Sequence, residues 1–122
     1  MGHPDARVVR GQLYCDWPDT IRQMKRDHQY GEALSLLAEC QDAAISDPVG
    51  GIAPWYFEQA AIIYRSEKCY DEEIACLGKY LEACPPDRRN HHYDALNTRR
   101  LKAQQLKSES RRRQQAERRT AK

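Results

Sequence analysis

The chain has one phenylalanine and two tryptophans in 122 residues, and its longest strongly apolar run lies around "AAIIY" at 60–64. A bilayer span needs about 20 apolar residues, so no membrane segment is expected. The five cysteines, at 15, 40, 69, 76 and 84, include no CxxC pair. Cys84 with His91 and His92 lacks a second cysteine pair, and Pro85-Pro86 separates the two parts, so no metal is expected there. The opening "MGHPDARVVRGQLYC" has no apolar core of signal-peptide length, and Ala6 stands where a myristoylation signal needs Ser or Thr. These absences predict a soluble, cytoplasmic protein with reduced thiols, no disulfide and no membrane partner. There is also no P-loop, no Gly-rich dinucleotide turn, no G-x-S-x-G and no defensible His–carboxylate arrangement. A non-enzymatic protein without cofactor or catalytic residues is the expectation.

No window alternates with period two, so the predicted class is all-α. Residues 1–14, with Pro4 and Gly11, read as a mobile arm. Asp16 is a candidate N-cap and Pro18 suits a first helical turn. Trp17, Ile21 and Met24 then form one apolar stripe of a helix over 17–28. A second helix over 31–46 carries Ala33, Leu34, Leu37, Cys40, Gln41 and Ala44 on a shared face. "SDPVGG" stops it through Pro48 and two glycines. Phe57, Ala60, Ala61 and Tyr64 mark a third helix over 54–67; Tyr70, Ile74, Leu77 and Leu81 mark a fourth over 71–83. Asp71, Glu72 and Glu73 suit the fourth helix's first turn, where the helix dipole favours negative charge. Gly78 lies inside this helix and lowers its stability, which suggests a close helix contact there. Pro85 and Pro86 end it. Asp87 is a candidate cap for a fifth helix without Gly or Pro, in which Tyr93 and Leu96 would pack on the fourth.

The units repeat. "QYGEALSLLAEC" at 29–40 aligns with "CYDEEIACLGKY" at 69–80: Tyr30 with Tyr70, Glu32 with Glu72, Leu34 with Ile74, Leu37 with Leu77. Upstream, Trp17 aligns with Phe57 and Met24 with Tyr64, so the period is 40 residues. Periods of about 20–50 residues mark stacked helical arrays.

These residues make the chain resemble the tetratricopeptide repeat (TPR) family. Phe57, Ala61 and Tyr64 take the family's large, small and aromatic places in helix A; "YDEEI" at 70–74 resembles its turn into helix B, and Pro85 stands at the family's distance from Tyr70. Trp17, Tyr30, Ala33 and Leu37 carry the likeness in the first unit, and the match spans about residues 15–86. Three features depart from the pattern. The period exceeds the family's usual ~34 residues, Glu73 and Tyr80 occupy places where it prefers Ala, and Ile21 fills a small-residue place. An unrelated bundle of four or five helices would use the same residues as core. The resemblance implies two stacked antiparallel helix pairs in a domain over 15–100, followed by a long basic helix. It also implies an adaptor or scaffold that binds a protein or peptide on a concave face lined by the A helices. The matching groove places are Pro18, Arg22, Lys25 and Arg26 in the first unit, and Trp55, Glu58, Ile62 and Arg65 in the second. Three bases there favour an acidic peptide, with Trp55 and Ile62 as apolar anchors. Arg22 and Gln59 stand where a chaperone carboxylate clamp needs Asn, so that specificity is not implied. Two units are few for such an array, and a homodimer would be one way to cover its open end.

Charge is unevenly placed. Residues 1–86 hold eight Lys/Arg against fourteen Asp/Glu, and residues 87–122 hold twelve against four. The tail over 101–122 reads as helical or frayed. Its bases, with those just before it, are Arg99, Arg100, Lys102, Lys107, Arg111, Arg112, Arg113, Arg118, Arg119 and Lys122. They suggest a second function, sequence-independent binding of nucleic-acid phosphates. No aromatic follows Tyr93, so no base-stacking platform is present. An acidic protein, the chain's own acidic body or solvent alone are the competing partners for the tail, and a nuclear-import signal would apply only in a eukaryotic source.

Overall fold

A computed structural model describes residues 5–47 and 51–120. Five α-helices carry the chain: α1 (Pro18–Arg26), α2 (Tyr30–Ser46), α3 (Trp55–Ser66), α4 (Tyr70–Ala83) and α5 (His91–Thr120). The all-α class holds, and the helix boundaries fall close to those the apolar spacing predicts. The caps differ. Asp16 lies in a 3-10 turn (Tyr14–Asp16), and Trp17 is the N-cap of α1, with Pro18 at its first position. Asp87 likewise lies in a 3-10 turn, Pro86–Arg88. Asn90 caps α5 instead, its Oδ1 accepting the N–H groups of His92 at 3.0 Å and Tyr93 at 3.4 Å. A side-chain acceptor there satisfies two N–H groups that a first helical turn leaves unpaired. The Pro48–Gly50 stop lies outside the described residues, but Asp47 is already extended at the end of α2.

The turns α1–α2 and α3–α4 are built alike. His28 and Lys68, forty residues apart, both adopt left-handed backbone, with φ 57° and 58°. Gln29 N–H donates to Met24 O, and Cys69 N–H to Tyr64 O, each at 2.8 Å; His28 N–H donates to Lys25 O and Lys68 N–H to Arg65 O. This is the Schellman closure, which satisfies the last carbonyls of a helix and reverses the chain. Glycine usually fills the left-handed position, and neither unit has one there.

Successive helices pack on one another, α1 on α2 through α4 on α5. Phe57 meets Tyr80 and Arg65 meets Glu73, so α3 and α4 run antiparallel. Tyr80 meets Tyr93, Glu73 meets Arg99 and Asp71 meets Lys107, so α5 runs antiparallel to α4. Alternate helices share a direction. Arg22 lies over Trp55 and Lys25 reaches Gln59 between α1 and α3; Gln41 contacts Cys76 and Asp42 pairs with Lys79 between α2 and α4. Phe57, Ile21, Leu36, Leu37, Ile63, Leu77 and Leu96 fill one continuous core.

The N-terminal segment differs from the expected arm. Val8–Val9 (β1) and Gln12–Leu13 (β2) form a two-stranded hairpin, with Val8 opposite Leu13. Arg10 and Gly11 both have positive φ, 49° and 85°, as a tight two-residue hairpin turn requires. Strands of two residues are too short to show alternation, which is why the sequence pattern missed them. The hairpin is anchored: Val9 is buried, Trp17 Nε1 donates to Val9 O at 2.9 Å, and Arg10 pairs with Glu39.

Gly78 also departs from expectation. A Cβ built there meets nothing within 4 Å, so no close helix contact explains it. Gly78→Ala should therefore raise stability by about 0.5–1 kcal/mol, because alanine loses less backbone entropy in a helix. Its neighbour Leu77 is fully buried, and Leu77→Ala should cost about 2–5 kcal/mol. Urea unfolding of both variants checks the pair; a loss in the first or no change in the second contradicts the packing described.

Candidate functional site

The face shared by α1 and α3 holds most of the residues that the repeat pattern singles out. α1 presents Arg22, Lys25 and Arg26 within two turns. The Arg22 guanidinium carbon lies 5.1 Å from the centre of the Trp55 ring, a cation–π contact, and its Nη1 donates to Asp19 at 3.1 Å. Lys25 Nζ donates to Gln59 Oε1, bridging the two helices. Arg26 is exposed and bonds within its own helix to Gln23. Pro18, Trp55 and Ile62 are half-buried and Glu58 is exposed. Arg22, Lys25 and Trp55 thus form one contiguous strip of cation and indole.

Arg65 does not join it as a free base. Its Nε donates to Glu73 Oε1 at 3.2 Å, and its Nη2 lies 2.8 Å from Oε2. Arg99 Nε approaches the same Oε2 to 3.4 Å, and Arg65 Nη2 also donates to Arg99 O at 2.9 Å. Oε2 has no hydrogen bond of good angle and is held by charge alone. Glu73 is 0% exposed. A buried carboxylate needs paired charge, so both arginines are committed to it. Burial and the adjacent Arg65 push the Arg99 guanidinium below its ordinary pKa, and the Glu73 and Glu58 carboxylates oppose that shift. Arg65, expected as a partner-binding base, and Arg99, expected as a phosphate-binding base, are thus counter-charges of Glu73 in this fold. Sequence spacing could not show this, because residues 65, 73 and 99 sit on three helices. The one signal was an acid at a position where the repeat pattern prefers alanine.

The basic helix divides in two. On its docked half, Leu96 and Ala103 are buried, Arg100 is half-buried and bonds Asn97, and Lys107 pairs with Asp71 at the start of α4. Lys102 is exposed. From residue 111 to Thr120 every side chain is exposed, including Arg111, Arg112, Arg113, Arg118 and Arg119. Among the described residues only Arg113 of these has an ion pair, a long one of 4.0 Å to Glu109.

Elsewhere, an apolar cleft of about 260 Å³ opens between α2, α3 and α4, lined among others by Leu34, Ala38, Gln41, Ala60 and Cys76. None of the eight groove residues expected from sequence lines it. Burial pushes the Cys76 thiol up to about 11, against the lowering hydrogen bond from Gln41, so it is protonated and a poor nucleophile at neutral pH. Among the described residues no group of three or more His, Cys, Asp or Glu is placed to hold a metal ion, and no helix is long and apolar enough to cross a membrane.

Two expectations follow. Glu73→Ala leaves two cations facing each other without the anion, and should cost about 3–5 kcal/mol in urea unfolding. Replacing Glu73, Arg65 and Arg99 together by apolar residues of similar volume should cost far less. A thiol reagent at neutral pH should modify exposed Cys15 first and half-buried Cys69 more slowly, since desolvation and the charges of Glu72 and Glu67 push the Cys69 thiol up. Cys40, Cys76 and Cys84 should react only in denaturant; mass spectrometry of the labelled protein reads the order. No family model matches this sequence, and neither a curated protein nor a solved structure matches it.

Proposed function

We propose that the protein is a non-enzymatic adaptor, a short TPR-like array whose α1–α3 face docks an acidic protein or peptide segment. The observation that carries this reading is the strip in which Arg22 covers Trp55 and Lys25 spans to Gln59. An indole gives a large apolar contact at little entropic cost, and cations beside it select an acidic partner. The identical left-handed turns at His28 and Lys68, and the common directions of α1 with α3 and α2 with α4, support the repeat reading. Arg65 drops out of the interface because Glu73 holds it, leaving Arg22, Lys25, Arg26, Trp55, Glu58 and Ile62.

The test is titration of the full chain with an acidic peptide carrying one apolar anchor. Trp55→Ala should weaken binding by about 2 kcal/mol, the scale of a central anchor. Arg22→Glu with Arg26→Glu should weaken it about tenfold, roughly 1.4 kcal/mol. Circular dichroism should show an unchanged helix content in both variants. Full retention of affinity by the Arg22/Arg26 variant would remove this face from consideration.

A further inference from the structure

We propose that the projecting end of α5 binds the phosphate backbone of duplex DNA, independently of the α1–α3 face. A helix rises about 1.5 Å per residue. The last ion pair between α5 and the body is Lys107 to Asp71, at the start of α4. The ten residues from 111 to 120 are all exposed; Arg111 and Gln114 still border a cleft with Asp71 and Glu72, and the six residues after them make about 9 Å of helix clear of the body.

Charge on that segment is sorted by face. Arg111 and Arg118 are seven residues apart, as are Arg112 and Arg119, so the four form one double stripe along two helical turns. Glu109 and Glu117 fall toward the opposite side with Arg113, which is the one paired with Glu109. None of the four stripe arginines has an ion pair within 4 Å among the described residues. The stripe spans about 10 Å. A duplex carries one phosphate charge per about 1.7 Å of axis counting both strands, so about six lie within that length, more than the four arginines can contact. All five bases here are arginine, whose planar guanidinium matches phosphate bidentately.

The residue types favour this occupant over others. Beyond Leu106 no side chain larger than alanine is apolar, so the segment has no anchor for a protein pocket and no face for a lipid layer. It has no aromatic to stack on single-stranded bases. A helix fits the DNA major groove, whereas the major groove of duplex RNA is too narrow. A second copy's acidic body is a weaker match, because several of its acids are already paired: Glu39 with Arg10, Asp42 with Lys79, Asp71 with Lys107 and Glu73 with two arginines.

Fluorescence anisotropy of the full chain with a short labelled DNA duplex of arbitrary sequence, over a salt series, tests the proposal. Binding should weaken steeply with salt. Replacing Arg111, Arg112, Arg118 and Arg119 together by Gln should flatten the log–log salt slope by about 3–4, at about 0.9 per lost phosphate contact. The same variant should lose about tenfold or more in affinity at low salt. Arg113→Gln should change both far less, and Arg22→Glu with Arg26→Glu should leave the slope of the four-arginine contribution in place. Helix content should hold in the four-fold variant, with at most a small loss of melting temperature from Arg111, which borders Asp71 and Glu72 at the start of α4. The proposal is overturned by absence of binding at low salt, by an unchanged slope in the four-fold variant, or by an equal loss with Arg113→Gln. Loss of self-association in place of DNA binding in the four-fold variant, read by sedimentation, would also overturn it and assign the stripe to a second copy.

Discussion

A carboxylate with no access to water sits where three helices meet. Glu73 belongs to α4, and its two counter-charges come from α3 and α5. Each ion carries a desolvation cost of several kcal/mol, which is offset only when all three groups are in place. Apolar contacts between α4 and α5 tolerate small shifts, whereas the charged triad has one satisfactory geometry. The triad ties α5 to α3 and α4 at Arg99, through Glu73 and the Arg65 bond to the Arg99 carbonyl. It also decides which cations remain outside. Arg65 and Arg99 are turned toward Glu73, whereas Arg26, Lys102 and the arginines from 111 onward are exposed.

The helical frame was legible because apolar residues recur at helical spacing wherever a face is buried. Ile21, Leu37, Phe57, Leu77 and Leu96 each lie in the core the pattern assigns them. The turns at His28 and Lys68, forty residues apart, make the same pair of hydrogen bonds. Local chemistry read less well. Asp16 and Asp87 have the right side chain for a cap, but 3-10 turns occupy those positions, and the helices begin later, at Pro18 and after Asn90. The hairpin at Val8–Leu13 escaped because its stability rests on tertiary anchors, Trp17 to Val9 and Arg10 to Glu39, which no local window contains.

The charged surfaces were legible in part, for a physical reason. Charge on one helix face can be read from spacing, so Arg22, Lys25 and Arg26 were found together, as were the bases of α5. The use to which a charge is put depends on what stands across from it. Arg65 and Arg99 look like any other surface bases until α5 is laid against α4, and the register of α5 is weakly encoded. Its buried side chains are few, Leu96 and Ala103, with Tyr93 partly covered.

The stacking of Arg22 on Trp55 has an optical consequence. The chain contains only two indoles. Trp17 is tethered through its ring nitrogen to the hairpin carbonyl of Val9. Trp55 has a guanidinium over its ring, with a tyrosine edge from Tyr56 beside it. Anything that takes Arg22's place changes what that excited ring touches, while Trp17 supplies a constant background from the same molecule. The surface carries its own emitter, without any label attached.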